Sequence, residues 1–328
     1  MKEEKVMKSC LKALIVSLAF SAPLAFASDD YPNKPVRWII PFPPGGGVDV
    51  LARILAERMS EVWGRPLIVE NRTGAQGVVG TSYGAKARPD GYTLVFAHQG
   101  ALVINPHLFT RGVGYDPLQD FAPVSCGTVM GFILVVHPSL PVRTMRELEQ
   151  LARKRPGELT FGSSSPGPWM VGELFKLSTG ANILHVPYQG GPPAVRDLLG
   201  GHIQIMFSNP TVAVPHSQSG RLRALAVMTE RRNDALPNVP TAREAGYPDL
   251  SDIVDWYGVA VPAGTSPEII RRINATVVDA LRHPRTAKRI IEAGQTPSPC
   301  TPSEFAALIK AEYERWGKVV KATGAKIE

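Results

Sequence analysis

Cysteine is scarce in this chain, with three in 328 residues. Cys10 lies ahead of the first apolar stretch, which leaves Cys126 and Cys300 in the body of the protein. An even count permits one disulfide, but spacing alone does not bring the two together. Two distant cysteines are too few for a tetrahedral metal site. Beyond residue 27 no run is long and apolar enough to span a bilayer. No Lys/Arg cluster with interleaved aromatics marks a nucleic-acid surface, so no nucleic acid is expected as a partner. Neither G-x-x-x-x-G-K-[ST] nor G-x-G-x-x-G occurs, so the usual nucleotide cradles are absent and no cofactor is expected. H-E-x-x-H is missing too.

Glycine and proline, by contrast, are plentiful at 30 each. Hydrophobic residues make up 44% and charged residues 20%, ordinary values for a folded chain. The length is too great for one compact core and suits two domains. Lys2, Lys5, Lys8 and Lys12, then the apolar Ala13 to Phe20, then Ala25-Phe26-Ala27 read as an export signal with cleavage after Ala27. Removing its four lysines and two glutamates lowers the net charge from +7 to +5. That mild excess is read as solubility.

The body of the chain alternates strand and helix signals. Val36 to Ile40 is an apolar strand that runs into Pro41-Phe42-Pro43-Pro44-Gly45-Gly46-Gly47 and then a helix. Leu51, Leu55, Met59 and Val62 recur on one face of that helix, and Gly64 ends it. Leu67 to Val69 is a second strand, followed by a glycine-rich loop from Asn71 to Gly77 and a helix near Val78. Thr93 to Ala97 is a third, and Gly131 to Val136 an apolar strand leaving the first domain. Thr144 with Glu147 makes a capping box. The second domain repeats the scheme, with strands at Leu159 to Phe161, Ile183 to Val186, Ile203 to Phe207 and Ala224 to Val227. Trp256 to Val261 reads as a return strand, and Ser266-Pro267 and Thr301-Pro302 open two helices expected to cover the first sheet. Alternation of this kind implies α/β architecture with parallel, doubly wound sheets.

Any one glycine loop is most simply a tight turn. Four of them, two per domain and all at strand C-terminal ends, point to a ligand crevice. Glycine admits a guest close to the backbone, and a following helix N-terminus favours an anion there. Candidate contacts are Phe42, Pro43, Gly46 and Gly47 in the first loop and Ala75, Gln76 and Gly77 in the second. His98 and Gln99 end the third strand. Facing candidates are Ser163, Ser164, Ser165, Pro168 and Trp169, then Tyr188 and Gly190, then Ser208 and Asn209. The serines have no recognisable His–Asp partners, and as hydroxyl donors to a ligand they need none. No metal site is expected.

These residues also match a specific pattern. Pro41 to Asp49 with Ala52-Arg53 resembles the opening signature of the Bug family of solute receptors, which serve tripartite tricarboxylate transporters. The likeness continues through Glu70 to Ala75, Pro89 to Leu94, Tyr115 to Phe121, Val135 to Leu140, His185 to Gly191, Asp197 to Gly201 and Ala235 to Thr241. It ends near Trp316 to Val320. The resemblance implies a two-domain periplasmic binding protein of type II with two hinge crossings, a monomer that binds a small organic acid and hands it to membrane permease subunits. It also implies that Phe42 to Gly47 and Thr73 to Gly77 hold the ligand's carboxylate through backbone groups and ordered water. The expected division is a leader over 1–27, one domain over 28–130 with 255–328, and a second over 131–254.

Three departures from the family pattern stand out: Gly167-Pro168-Trp169, Ser208 where many relatives have Asp, and Pro44 where Ala is usual. They imply a far wall poorer in donors and a ligand whose distal end is apolar or aromatic. Two other readings remain open on the sequence. One is an exported hydrolase on the same scaffold, using Ser164 with His98. The other is a receptor feeding a sensor protein.

Overall fold

Two β-sheets carry the described residues. The computed structural model describes residues 31–328, so the expected export signal with its cleavage point after Ala27, and Cys10, lie outside the described residues. Lys34–Glu328 forms one compact unit.

The first sheet is built from β1 (Val36–Ile40), β2 (Leu67–Asn71), β3 (Thr93–His98), β4 (Phe121–Gly131), β10 (Val254–Pro262) and β11 (Thr296–Pro297), in the order β11-β4-β10-β3-β1-β2. The second has β5 (Ile133–Val136), β6 (Thr160–Ser163), β7 (Leu184–Pro187), β8 (Ile205–Ser208) and β9 (Arg223–Val227), in the order β7-β6-β8-β5-β9. Neither sheet is wholly parallel, which corrects the doubly wound expectation. β1 runs parallel to β2 and β3, but β10 pairs antiparallel with β3 and β4. In the second sheet β6 is parallel to β7 and β8, while β5 runs against β8 and β9. The cause is topological: a chain that crosses between sheets re-enters from the opposite end, and its strand arrives reversed.

Both crossings use neighbouring strands. β4 leads out of the first sheet, and after Phe132 the chain enters the second as β5. It returns through β10, which pairs with β4 from Val254–Gly131 to Pro262–Phe121. Gly131 to Val136 is therefore two elements, and β4 was not foreseen. Its residues Pro123, Ser125, Gly127 and Thr128 hide the strand's apolar signal.

Helices fill in around the sheets: α1 (Gly47–Trp63), α2 (Val78–Ala85), α3 (Asn105–Leu108), α4 (Met145–Lys154), α5 (Pro166–Thr179), α6 (Gly191–Leu199), α7 (Pro210–Gln218), α8 (Pro267–Arg282), α9 (Pro284–Glu292) and α10 (Pro302–Thr323). α1 buries Leu51, Leu55 and Met59 as expected, whereas Val62 is 44% exposed. α10 starts at the predicted capping box of Thr301 and Glu304 and buries Phe305, Ile309 and Trp316. Trp256 meets Phe305 edge-on at 5.4 Å, so the C-terminal helix seals the first sheet beside the crossing strands. Fully burying a side chain of this size stabilises by about 1.5–3 kcal/mol. Cys126 of β4 and Cys300, just ahead of α10, are joined by a disulfide. Asn274 of α8 adds a hydrogen bond from its Nδ2 to the Cys300 carbonyl.

Candidate functional site

The opening loop is held from below by a buried carboxylate. Asp49, in the first turn of α1 and 3% exposed, accepts from the Gly45 amide (3.0 Å), from Arg53 Nε (2.9 Å) and from Asn71 Nδ2 (2.9 Å). Burial pushes this carboxyl up, but the bonds from Arg53, Gly45 and Asn71 prevail and hold it below the usual carboxylate range. Asn71 Nδ2 also donates to the Phe42 carbonyl at 2.9 Å, which ties the start of the loop to the end of β2. The motif residues Asp49, Arg53 and Asn71 thus shape the loop without lining anything.

Above the loop lies a cavity of about 240 Å³. From the first sheet it is lined by Phe42, Pro43, Gly45, Gly46, Gly47, Val48, His98 and Tyr257. From the second come Ser164, Ser165, Gly190, Gly191, Pro192, Val195, Met206, Ser208, Asn209, Thr211 and Val212. No lysine, arginine, aspartate or glutamate is among them.

Four helices begin at this cavity: α1 after Gly46, α5 after Ser165, α6 after Gly190 and α7 after Asn209. None of the four has a side-chain cap. Of the six described helices that begin elsewhere, three are capped by a side chain: Thr144 caps α4, Ser266 caps α8 and Thr301 caps α10. The first N–H groups of a helix have no partner inside it, and the dipole leaves them partly positive. A site walled by four such ends suits an anion without any cationic side chain.

His98 forms the floor. Phe42 lies 4.5 Å from its ring and Tyr257 is stacked on it at 5.2 Å. Burial pulls the imidazole down to about 3, so it is neutral at physiological pH. Its Nδ1 accepts from the Ala101 amide at 3.4 Å, which leaves the proton on Nε2. Val48, Pro192, Val195, Met206 and Val212 supply an apolar belt between the polar ends.

Ten predicted site residues meet here: Phe42, Pro43, Gly46, Gly47, His98, Ser164, Ser165, Gly190, Ser208 and Asn209. Eight do not line the cavity, each for a visible reason. Ala75, Gln76 and Gly77 form a turn behind Phe42, where a Cβ on Gly77 would stand 3.0 Å from Phe42 Cζ. Gln76 keeps a left-handed backbone (φ 55°), and its carbonyl accepts from Asn105 Nδ2. Gln99 is fully buried and donates to the Val254 carbonyl and to Glu312 Oε2. Ser163 Oγ is 2.7 Å from His185 Nε2, on the side of β6 away from the cavity-lining Ser164. Pro168 is buried in the first turn of α5. Trp169 stacks on His185 at 4.6 Å and donates from Nε1 to Glu173, so the indole is not the expected wall. Tyr188 donates its hydroxyl to Asp197 Oδ2 at 2.7 Å. Ser164 and His98, the pair of the hydrolase reading, both line the cavity, but no described hydrogen bond joins them; the serine bonded to a histidine is Ser163, which does not line it. Sequence reasoning missed Tyr257, Thr211 and the aliphatic belt. Period-two alternation in β10 offered the signal for Tyr257, because Trp256 beside it faces the core.

Comparison with known proteins gives specific matches over most of the chain. Residues 51–325 match the family model described as tripartite tricarboxylate transporter family receptor. The chain is 38% identical to protein BugT of Bordetella pertussis over 316 residues, covering 96% of each. An R. palustris structure with adipate superposes with a TM-score of 0.87 at 37% identity, over 91% of this chain and all of that one. MatC from Rhodopseudomonas palustris with bound malate gives 0.83 at 29% identity, over 88% of this chain and all of that one.

Proposed function

The chain belongs to the tripartite tricarboxylate transporter receptor family, and from that premise we propose that this cavity captures a small organic acid between two lobes. The protein is a periplasmic solute-binding receptor for small carboxylates. The lobes are taken as 28–130 with 255–328, and 131–254; residues 28–30 lie outside the described residues. The acid is delivered to permease subunits of a tripartite transporter by a monomeric receptor, without chemical change.

The observation that carries this reading is the set of four uncapped helix starts around a cavity with no charged side chain. Each end contributes about 0.3–1 kcal/mol towards an anion, and up to about 2 where partly buried. A charge-assisted hydrogen bond contributes about 1.5–3 kcal/mol. A few such terms reach about 8 kcal/mol, which is micromolar affinity. Ser208 at the far wall offers no carboxylate to an ammonium group, so an acid without a free amine is favoured. The aliphatic belt favours a methylene spacer over a densely hydroxylated one, as in the adipate bound by the R. palustris relative.

Native mass spectrometry of the purified protein, followed by calorimetry with adipate, malate and glutamate, tests the proposal. Micromolar binding of a plain dicarboxylate and weaker binding of glutamate is the expected result. Glutamate binding as tightly as adipate would overturn it. Gly46→Val supplies the control. A Cβ there meets only the Pro43 carbonyl, at 3.9 Å, so the side chain enters the cavity while the fold is kept.

A further inference from the structure

The first sheet places one phenol in the cavity wall. Tyr257 lies on β10 opposite His98 of β3 and is 2% exposed. Its ring is fixed by the stack on His98 and by an edge contact with Phe96 at 5.4 Å. A Cβ on Gly47 would stand 3.9 Å from its hydroxyl, which puts that oxygen beside the first residue of α1.

The hydroxyl's partner comes from the other sheet. Asn209, between β8 and α7, donates from Nδ2 to the Tyr257 oxygen at 2.8 Å. The competing acceptor for the phenolic proton is the Asp255 carboxyl, which interacts with the hydroxyl from the same strand. Asp255, two residues back on the strand, has neither buried carboxyl oxygen in hydrogen-bonding geometry with a donor. Burial raises that carboxyl to about 7, so below that pH it is largely a neutral acid and a weaker competitor for the proton than a carboxylate. Burial and then the nearby Asp255 hold the phenol well above its ordinary value, so it stays a donor.

We propose that Tyr257 is a ligand-contacting residue that donates its phenolic proton to the acid's anionic end at the start of α1, with Asn209 as its positioning residue. The proposal rests on reading the cavity as an organic-acid site. A phenol whose oxygen already accepts a bond has one way left to act, as a donor. Because Asn209 belongs to the second sheet, that orientation exists only when the two sheets approach. Tyr257 therefore selects an acceptor atom at this pole and disfavours an ammonium or amide N–H, which would leave two donors facing each other.

The test is calorimetry with adipate and malate on wild type, Tyr257→Phe, Asn209→Ala and the double variant. Removing one hydrogen bond to a charged group predicts about a ten- to hundredfold loss for Tyr257→Phe. Asn209→Ala should weaken binding less, and should cost under about twofold more when added to Tyr257→Phe, since coupled residues are non-additive. Unchanged affinity in Tyr257→Phe, with wild type binding, would overturn the contact while leaving the organic-acid reading intact. Fully additive losses would overturn the positioning role of Asn209. Failure of wild type to bind either acid would overturn the organic-acid reading and this assignment with it. If Tyr257→Phe does not fold, the ¹³Cζ resonance of Tyr257 in the wild-type protein decides. A shift on adding adipate supports the contact, and an unmoved signal overturns it.

Discussion

Gly190 and Pro43 meet across the mouth of the cavity. A Cβ on Gly190 would stand 2.9 Å from Pro43 Cδ, and the Gly190 backbone is left-handed at φ +96°. A glycine is required on both counts. Gly190→Val is expected to prop the mouth open and weaken adipate binding by about tenfold or more, because overlap of this kind costs about 1–3 kcal/mol. Small-angle scattering with and without adipate checks it. A variant that still contracts like wild type would refute the contact's role.

Asp49 predicts an acid-sensitive loop. Its folded carboxyl titrates below its unfolded counterpart. Its contribution is therefore present above about pH 4 and fades as pH falls through the folded value. Asp49→Ala leaves the Gly45 amide and one of the two Asn71 Nδ2 protons without their acceptor, at a cost of about 1–3 kcal/mol at pH 7. Urea titrations at pH 7 and pH 3 should show the difference from wild type shrinking in acid. An equal difference at both would argue against the ion pair.

Asp255 predicts the opposite slope. Burial raises its carboxyl to about 7. The unfolded chain loses this proton near pH 4 while the folded chain keeps it until about 7, so stability falls as pH rises across that window. His98 and His185, drawn down to about 3 and about 4 by burial, make stability fall as pH drops below 6.5. Asp255→Asn removes only the first effect. Its stability relative to wild type should grow from about pH 4 to about pH 7 and then level off, read from urea midpoints. A constant offset would contradict the shift.

The disulfide links residues 174 apart in sequence. Cross-linking so long a loop restricts the unfolded chain, and the Cys126→Ser, Cys300→Ser double variant should lose about 2–4 kcal/mol. Calorimetric melting of both proteins measures it. Adipate affinity should stay within about twofold, since neither cysteine lines the cavity. A large affinity loss would mean that the tether reaches the site.

Local signals made much of this legible. Apolar strands bounded by glycine loops, Pro at helix starts and the capping box at Thr301 fall where the sequence places them, while Thr144 caps its helix without the reciprocal bond, because Glu147 accepts from the Arg143 amide instead. So do ten cavity residues, because they sit in loops whose chemistry is local. What failed was orientation. Ser163 and Ser164 are adjacent but face opposite sides of a strand end, and Trp169 turns towards His185 through helical geometry that composition does not reveal. β4 stayed hidden because its burial is supplied by α10, nearly two hundred residues later. Tyr257 needed knowledge of which face of β10 the core would claim.

β4 and β10 run side by side where the chain passes between the sheets, with register irregularities at Tyr257/Gly258 and Val259/Ala260. A paired ribbon is stiff against stretching and soft in torsion, so the halves are coupled like two plates on one twisted strap. Tyr257 stands on that strap at its irregular point. On the contact proposed for Tyr257, an acid that reaches its hydroxyl touches the joint itself, and a molecule too short to reach it would occupy the cavity without doing so.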